Sequence, residues 1–351
     1  MTETAARTGL LRAGVVGTGH LGALHAAKYA ATEGARLAGV FDPDPVRAAQ
    51  VAATHGCTAF PSLAALLGAV DCASIAASTA AHHEAGLAAI AAGVHLLVEK
   101  PLAASLEDAR ALVEAAEARG VLLQVGHLER FNPAFADLPQ LAGHPRFIEC
   151  HRLSPFAGRG ADVDVIFDVM IHDLDLIAFV VGRPLAAVEA IGVPVISDHA
   201  DIANARLRFD GGCIANVTAS RVSLKRERRL RIFQEDAYVA VDFDSRSLRV
   251  IRRRPGAAAF DPAFPMDGIE VEERSFAEDA DPLRDEIGEF VAAVRERIRG
   301  QVQISASSEP LVQSAGKSVP VPRTVSGREA LVALEIAERV RAAVAAEAAA
   351  K

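Results

Sequence analysis

The sequence lacks long apolar runs, closely spaced cysteines and an excess of positive charge. No stretch of about eighteen apolar residues occurs without a charge, so we expect no membrane-spanning helix. The four cysteines form no C-x-x-C pair and have no ligand spacing to histidine, so we expect free thiols. The net charge of −8 argues against nucleic-acid binding, which needs a basic face. A polar start over residues 1–7 without a leader pattern favours a cytoplasmic protein.

A chain of 351 residues is expected to form two domains. In the first third, short apolar runs alternate with helical patterns, which is typical of a doubly wound parallel sheet. We therefore predict an α/β Rossmann domain over residues 1–127. Strand-like segments dominate after it, and they predict an α+β domain with an open, mostly antiparallel sheet over residues 128–351. Within that domain, Asp210-Gly211-Gly212 indicates a hairpin.

Helical segments are predicted in three places after residue 127. They cover residues 164–181, residues 282–298 and an Ala-rich stretch from Ser326 to the C-terminus, which could pack back on the first domain. Residues 301–322 are rich in Ser, Pro, Val and Gln. We expect them to form a surface loop or a disordered insertion.

A glycine-rich loop follows the first predicted strand and opens the first predicted helix. In such a loop, Gly17 permits a tight turn, Gly19 lets the backbone approach a pyrophosphate, and Gly22 lets helix and strand pack closely. The helix N-terminus adds N–H groups and a partial positive charge for phosphates. We therefore predict that the loop binds a dinucleotide through Gly17, Thr18, Gly19, His20, Leu21 and Gly22.

An acidic residue, Asp42, ends the second predicted strand, 20 positions after Gly22. Its carboxylate is expected to accept hydrogen bonds from the adenosine ribose diol and to repel a 2′-phosphate. The sequence therefore favours NAD over NADP. The alternative is that Asp42 only caps the Asp-Pro-Asp-Pro turn that it begins, and both roles are compatible.

Two further motifs carry a family resemblance. The run from Ser78 to Glu84 and the Glu99-Lys100-Pro101 element, together with the glycine loop, resemble the Gfo/Idh/MocA family of sugar and cyclitol oxidoreductases. One departure is the run Ala77-Ser78-Thr79, where the family usually has Thr-Pro-Thr, so the proline is missing. The resemblance implies an oxidoreductase acting on CH–OH groups, with Lys100 beside the substrate hydroxyl and a cis Lys-Pro peptide. It also adds cofactor-binding residues, namely Ser78, Thr79, His82, Glu99 and Lys100.

An acidic stripe with one histidine marks the predicted helix over residues 164–181. On an α-helix, Asp164, Asp168, His172 and Asp175 share one face, whereas Asp173 points elsewhere. A carboxylate one turn from a histidine can orient the imidazole as a base for a hydroxyl proton. The family's catalytic pair matches Asp168 and His172, so we predict Lys100, Asp168 and His172 as catalytic. A metal site and a structural histidine are the alternatives, and we expect no metal.

The segments at residues 126–133, 170–175 and 231–238 resemble one branch of the family. That branch uses NAD to oxidise the 3-hydroxyl of UDP-linked N-acetylglucosamine, and an aminotransferase partner then aminates the ketone towards lipid A. Arg130, Arg221, Lys225 and Arg226 could bind a diphosphate. The predicted substrate-binding residues are Lys100, Arg130, Asn132, His172 and Arg221.

Several alternatives to this function stay open. They are a dehydrogenase of free sugars or cyclitols, a non-catalytic NAD-binding regulator, and NAD-dependent elimination or glycoside cleavage through transient oxidation. The regulator would tolerate loss of Lys100 and His172, and both are present. The resemblance further implies a homodimer or homotetramer.

Overall fold

The computed structural model describes residues 9–156, 163–254, 256, 268–277, 279–306 and 323–350. The described strands, in chain order, are β1 (Leu11–Val16), β2 (Ala35–Phe41), β3 (Thr58–Ala59), β4 (Cys72–Ile75), β5 (His95–Glu99), β6 (Leu123–Gly126), β7 (Phe147–Leu153), β8 (Leu185–Val193), β9 (Ile202–Phe209), β10 (Ile214–Ser220), β11 (Glu227–Phe233), β12 (Ala237–Asp242), β13 (Ser247–Arg253), β14 (Ile269–Ser275) and β15 (Val325–Ser326). The described α-helices are α1 (His20–Ala31), α2 (Pro45–His55), α3 (Leu63–Leu67), α4 (Thr79–Ala91), α5 (Leu106–Arg119), α6 (Leu138–Leu141), α7 (Ile171–Val181), α8 (Pro282–Ala306) and α9 (Gly327–Ala349).

The chain divides into two compact units, and the division corrects the predicted domains. The first unit comprises residues 1–128 and 281–328, and the second comprises residues 129–280 and 329–351. Residues 281–306 and 323–328 were predicted in the second domain, but they fold with the first unit. They do so because the apolar face of α8, including Ile287 and Phe290, packs in the same core as Tyr29 of α1.

The first unit is built on a parallel sheet, as predicted. Its described strands follow the order β15-β6-β5-β4-β1-β2-β3. Strands β1 to β6 are parallel to their neighbours, and the two-residue β15 is antiparallel to β6. Helix α5 begins after Ser105, whose Oγ accepts the N–H of Asp108 at 3.1 Å, and ends at Gly120 in the left-handed conformation. These signals fix its bounds locally.

The second unit contains the open, mostly antiparallel sheet that was predicted. Its described strands follow the order β14-β13-β12-β11-β7-β10-β9-β8, and β7 with β10 is the parallel pair among them. Gly211 and Gly212, both with positive φ, join β9 to β10, so the predicted hairpin is confirmed. Helices α7 and α9 supply Leu174, Ile177 and Val340 to the sheet's apolar core. The C-terminal helix therefore packs within the second unit, which corrects the expectation that it packs back on the first.

Two predicted segments differ in detail. The helix predicted from residue 164 begins with a π-helical turn over Ile166–Met170, in which the N–H of Ile171 donates to the carbonyl of Ile166. Helix α8 extends to Ala306, so the predicted loop is wrong for residues 301–306. Residues 307–322 and 1–7 lie outside the described residues. Within the described part of the chain, no helix is long and apolar enough to cross a membrane.

A buried carboxylate organises the segment between β8 and β9. Oδ2 of Asp201 accepts the N–H groups of Val195, Ile196 and Ser197 at 2.8, 2.7 and 2.9 Å, and Oδ1 accepts Nε of Arg221 at 2.8 Å. The same arginine donates to the carbonyl of residue 163 at 2.7 Å. The pair therefore ties the segment to the start of the π-helical turn.

Replacing Asp201 with Asn should destabilise the protein and remove part of its acid sensitivity. Burial alone would raise the pKa of Asp201, but the N–H donors and Arg221 hold it well below the usual value. Stability from this group is therefore present above about pH 4 and is lost as the pH falls below it. We expect D201N to lose about 3 kcal/mol at neutral pH, measured by urea unfolding.

The matched control for this substitution is Asp198→Asn, since Asp198 is exposed in the same segment. D198N should unfold like the wild type at every pH. Equal urea midpoints for D201N and the wild type at neutral pH would show that the buried pair does not stabilise the fold.

Candidate active site

The glycine loop forms an open cradle at the start of α1. Gly17 has φ +87°, and a Cβ on Gly22 would lie 1.9 Å from the carbonyl oxygen of Gly17. A Cβ on Gly19 would meet nothing within 4 Å. Gly19 is also the N-cap of α1, and the first turn of that helix contains no acidic residue. The first N–H groups of a helix lack intrahelical partners, so backbone donors face a space that this chain leaves empty. The loop fits a pyrophosphate.

Asp42 is held at the end of β2 by neighbours on both sides. Its Oδ2 accepts the N–H and the hydroxyl of Thr18 at 2.7 and 2.9 Å, and its Oδ1 accepts the N–H of Asp44 at 2.9 Å and Nη2 of Arg47 at 3.1 Å. Burial alone would raise the pKa of Asp42, but these hydrogen bonds and Arg47 lower it. Asp42 therefore stays ionised, and it also organises the turn. Thr18 was predicted to contact the cofactor, but in this structure its N–H and hydroxyl both bind Asp42.

The Ser78–Glu84 run lies where α4 begins. Ser78 is exposed, Thr79 is half-buried, and the Ser78 side chain makes no capping hydrogen bond. His82 is 1% exposed, with Nδ1 3.0 Å from the carbonyl of Pro101 and Nε2 3.2 Å from the carbonyl of Ala77. Both ring nitrogens are thus occupied by backbone. His82 therefore links Pro101, which follows Lys100, to Ala77, which precedes Ser78, and its contact with the cofactor stays a prediction.

Lys100 follows β5 and is half-buried, and its peptide bond to Pro101 is cis, as the family resemblance implied. Glu99 before it is 5% exposed. The Glu99 carboxylate lies 2.8 Å from Nε2 of His25 and accepts the N–H of Lys100 at 3.3 Å. The carboxylate of Glu99 therefore lies in the interior of the first unit, and its contact with the cofactor stays a prediction.

His25 is a site residue that the sequence reasoning missed. It lies on α1, three residues after Gly22, and its Nδ1 is 2.9 Å from the hydroxyl of Ser74. The available signal was the position itself. A polar residue one turn into this helix, on the face of Gly22, must point at the sheet.

In the second unit, Asp168 and His172 keep partial exposure, whereas Asp173 and Asp175 are each 1% exposed. Asp168 lies within the π-helical turn, and π-turns occur frequently at functional sites. Asp173 accepts Nη2 of Arg152 at 2.7 Å and Asp175 accepts Nη2 of Arg130 at 2.7 Å, so both carboxylates are turned into the interior. The polar face open to a ligand is therefore narrower than the predicted stripe.

Three predicted substrate ligands are structural instead. Arg130 is 1% exposed, and its guanidinium donates to Asp175 at 2.7 and 2.8 Å and to Glu329 at 2.8 Å. Arg221 is 3% exposed and pairs with Asp201. The prediction that these arginines bind a diphosphate is corrected, because buried carboxylates already occupy them.

Asn132 is the third predicted ligand with a structural role. Its Oδ1 accepts the N–H of Ala134 at 3.1 Å, and its Nδ2 donates to the carbonyl of Phe243 at 3.0 Å. The side chain is 8% exposed, and both ends of its amide are engaged. Asn132 therefore begins a short 3-10 helix rather than facing a ligand.

Both units match one family of oxidoreductases. Residues 11–127 match the oxidoreductase family with an NAD-binding Rossmann fold, and residues 142–240 match the Gfo/Idh/MocA C-terminal domain. The chain therefore belongs to the Gfo/Idh/MocA family, which confirms the resemblance and the fold class. Among the described residues, no group of three or more His, Cys, Asp or Glu side chains could hold a metal ion.

Particular relatives resemble the chain over most of its length. It is 43% identical over 285 residues to UDP-N-acetylglucosamine 3-dehydrogenase of Acidithiobacillus ferrooxidans, which covers 81% of this chain and 88% of the relative. A solved structure of an enzyme with that name and source has a TM-score of 0.81 at 39% identity, covering 96% of this chain and 98% of the other. A myo-inositol dehydrogenase of Streptomyces leeuwenhoekii is 34% identical over 227 residues, or 59% of this chain and 69% of that protein.

Replacing Gly19 with Ala should weaken cofactor binding without unfolding the protein. The added methyl group meets no protein atom within 4 Å, but it enters the space where a pyrophosphate would approach the backbone. We expect the dissociation constant for NADH to rise at least about tenfold, the scale of one lost charge-assisted hydrogen bond. Fluorescence titration measures the binding, and thermal unfolding checks the fold.

A useful comparison is Gly68→Ala, since its Cβ would also fit, at 3.5 Å from its nearest neighbour. G68A should bind NADH like the wild type. Normal NADH binding by G19A would show that the cradle is not the pyrophosphate site.

Proposed function

We propose that this protein oxidises the 3-hydroxyl of UDP-N-acetylglucosamine to a ketone, with NAD as hydride acceptor. The observation that carries the proposal is the 43% identity to an enzyme named for that reaction, over 88% of the enzyme's length. Lys100 and His172 also support it. Both belong to the predicted catalytic set, both are partly exposed, and each can carry a proton.

The residues of this chain have distinct roles in the proposed reaction. Bound NAD supplies the hydride acceptor. The cradle at Gly19 binds the pyrophosphate, and Asp42 binds the adenosine ribose. His172 takes the hydroxyl proton on an imidazole nitrogen, and Asp168, one turn earlier, orients that ring. Lys100 donates a hydrogen bond to the reacting oxygen of the substrate. Its positive charge stabilises that oxygen after the hydroxyl proton has left, while the ketone forms.

The diphosphate of the substrate needs cations that are not already buried in ion pairs. Since Arg130 and Arg221 are enclosed, we assign this role to Lys225 and Arg226, which are exposed between β10 and β11. Arg226 lies 2.8 Å from Asp244 with 58% of its side chain exposed. Exposed pairs of this kind exchange partners at little cost.

Replacing His172 with Ala should reduce turnover while leaving NADH binding intact. Loss of a general base costs about 10²- to 10⁴-fold in kcat, and the ring is not part of the glycine loop. The measurement is NADH production with UDP-N-acetylglucosamine, myo-inositol and glucose, together with NADH titration. His199→Ala, at an exposed histidine, is the control and should keep wild-type rates.

The outcome across the substrates tests the specificity. UDP-N-acetylglucosamine should have the highest kcat/KM. A preference for myo-inositol would favour the second candidate, a cyclitol dehydrogenase, which the 34% identity to a myo-inositol dehydrogenase supports. Wild-type kcat for H172A would remove His172 from the mechanism.

The chain should prefer NAD over NADP, and Arg47 should decide what happens when Asp42 is lost. The Asp42 carboxylate repels a 2′-phosphate, but Arg47 beside it could bind one once the carboxylate is gone. We expect wild-type protein to bind NADH at least about tenfold more tightly than NADPH. Asp42→Ser should reverse or abolish that preference, and D42S/R47A should bind NADPH poorly. Equal binding of both by the wild type would contradict the role of Asp42.

The proposed product also suggests partners. A 3-ketone on a UDP-sugar is a substrate for an aminotransferase, and we propose that such an enzyme acts next, towards lipid A. We also propose a cytoplasmic homodimer or homotetramer. Phe147, Phe233, Tyr238 and Ile251 stand side by side on adjacent strands as a partly exposed apolar row, which a second copy could cover.

A further inference from the structure

A chain of buried polar groups runs beneath Lys100. The hydroxyl of Tyr29 is 2.9 Å from Oγ of Ser74, which is 2.9 Å from Nδ1 of His25, and Nε2 of His25 is 2.8 Å from Oε1 of Glu99. Tyr29, His25 and Ser74 are each 0% exposed, and Glu99 is 5% exposed. The four side chains come from α1, β4 and β5, so the whole arrangement lies in the first unit.

The donors in this chain can be assigned by counting protons. If His25 is neutral with its proton on Nε2, Tyr29 donates to Ser74, Ser74 donates to Nδ1, and Nε2 donates to Glu99. Each of the three hydrogen bonds then has one proton and one acceptor, and no buried donor is wasted. The chain has one direction, and its negative charge lies on Glu99. Burial raises the pKa of Tyr29 well above its usual value, so the far end of the chain stays protonated.

A second carboxyl group, Glu286 of α8, lies at this network without a partner. It is 1% exposed, and within the described part of the chain neither of its oxygens has a hydrogen-bond partner. Burial, together with the negative charges of Glu99 and Glu289, raises the pKa of Glu286 well above its usual value. An ionised carboxylate without partners is costly in this setting, so burial favours the protonated form of Glu286.

A glycine leaves room for the carboxylate of Glu99. A Cβ on Gly126 would lie 3.2 Å from Oε2 of Glu99, so the glycine makes space for the carboxylate. The titratable groups that interact electrostatically with Glu99 are His25 of α1, His82 of α4, Lys100 at the end of β5 and Glu286 of α8. Glu286 in turn interacts with Tyr29 of α1 and Glu289 of α8, and Cys72 of β4 acts on Tyr29.

We propose that Glu99 and Glu286 share a single negative charge beneath Lys100, and that the Tyr29–Ser74–His25 chain keeps that charge on Glu99 while Glu286 holds the proton. These are positioning residues that set the charge next to Lys100. This inference rests on the proposed function in one respect: the nicotinamide has to bind near the carboxyl end of β5, where ligands of such sheets bind.

The shared charge should respond to the oxidation state of the cofactor. The nicotinamide ring is positive in NAD+ and neutral in NADH, so a second negative charge nearby favours NAD+. When the pH rises high enough for Glu286 to release its proton to water, NAD+ binding should strengthen relative to NADH binding. Because two interacting carboxyl groups titrate as a pair, this change belongs to the second proton of the pair.

The proton on Glu286 can be observed directly. The infrared spectrum of the wild type at about pH 8, where ordinary carboxyl groups are ionised, should contain the C=O stretch of a protonated carboxylic acid. Glu286→Gln should remove that band. Glu296→Gln is the matched control, since Glu296 lies on the same helix and is exposed, and it should leave the band in place. No difference between wild type and E286Q would overturn the proposal.

The coupling to the cofactor has its own measurement. The ratio of the dissociation constants of NADH and NAD+ should rise several-fold between about pH 6 and pH 9 in the wild type, a range in which an ordinary lysine stays charged, and it should stay flat in E286Q. The same pH dependence in both proteins would show that Glu286 fills space only. Neither measurement uses a sugar, so both remain decisive if the proposed substrate is wrong.

The hydrogen-bonded chain is tested by Ser74→Ala. Without the hydroxyl, His25 loses its donor at Nδ1 and holds the Glu99 carboxylate less well, so Glu99 takes up a proton at higher pH. NAD+ binding should weaken as the pH falls and Glu99 takes up a proton, and in S74A this loss of binding should begin at a higher pH than in the wild type. Ala26→Gly should not shift it, since it loosens the same core without changing a polar group. If the loss of binding begins at the same pH in S74A and the wild type, the hydrogen-bonded chain is not part of the mechanism.

Discussion

The guanidinium of Arg152 is enclosed in the second unit, where the carboxylates of Asp173 and Glu129 lie 2.7 and 2.8 Å from its nitrogens. A charge at such a depth is tolerated only when partners replace the water it has lost. Asp175, two residues further along α7, has the same relation to Arg130. Because both carboxylates must point inward to reach their arginines, the rotation of α7 about its axis is fixed. His172, on the same helix, keeps partial exposure.

In the first unit, a buried carboxylate is stabilised by hydrogen bonds and not by an arginine. Glu99 is buried at the end of β5, and the groups that stabilise its charge are His25 and the backbone N–H of Lys100. Burial alone would raise the pKa of Glu99, but His25 and Lys100 lower it. The end of the strand is thereby fixed in position. Lys100 leaves the sheet from a backbone that is anchored one residue earlier.

The features that were predicted correctly from the sequence are those that depend on short local patterns of residues. The parallel sheet, the glycine loop, the cap at Ser105 and the Asp210-Gly211-Gly212 hairpin each depend on neighbouring residues, and the structure has all of them. The assignment of residues 281–306 and 323–328 failed because it depends on a distant contact. The apolar face of α8 can be seen in the sequence, but the neighbouring residues do not indicate in which core that face packs.

The residue types of the candidate site could be predicted from the sequence, but the role of each residue could be predicted less well. A buried arginine and a phosphate-binding arginine look the same in sequence, because burial is set by partners far along the chain. Arg130 meets Glu329, 199 positions away, and Arg221 meets Asp201, 20 positions away. The π-helical turn at Asp168 was also hidden, since it does not interrupt the helical spacing of apolar residues.

Anchors and exposed site residues are adjacent in both units. Glu99 precedes Lys100, His172 precedes Asp173, and Thr18 stands beside Gly19. In each pair one residue is buried and bound, while its neighbour keeps access to solvent or opens onto empty space. Consecutive residues share a rigid peptide plane. When the buried residue holds its backbone in place, the backbone of the exposed neighbour is constrained as well, and the neighbour's side chain keeps its freedom. A substitution at an anchor therefore displaces the exposed residue beside it, although the anchor itself never reaches the ligand.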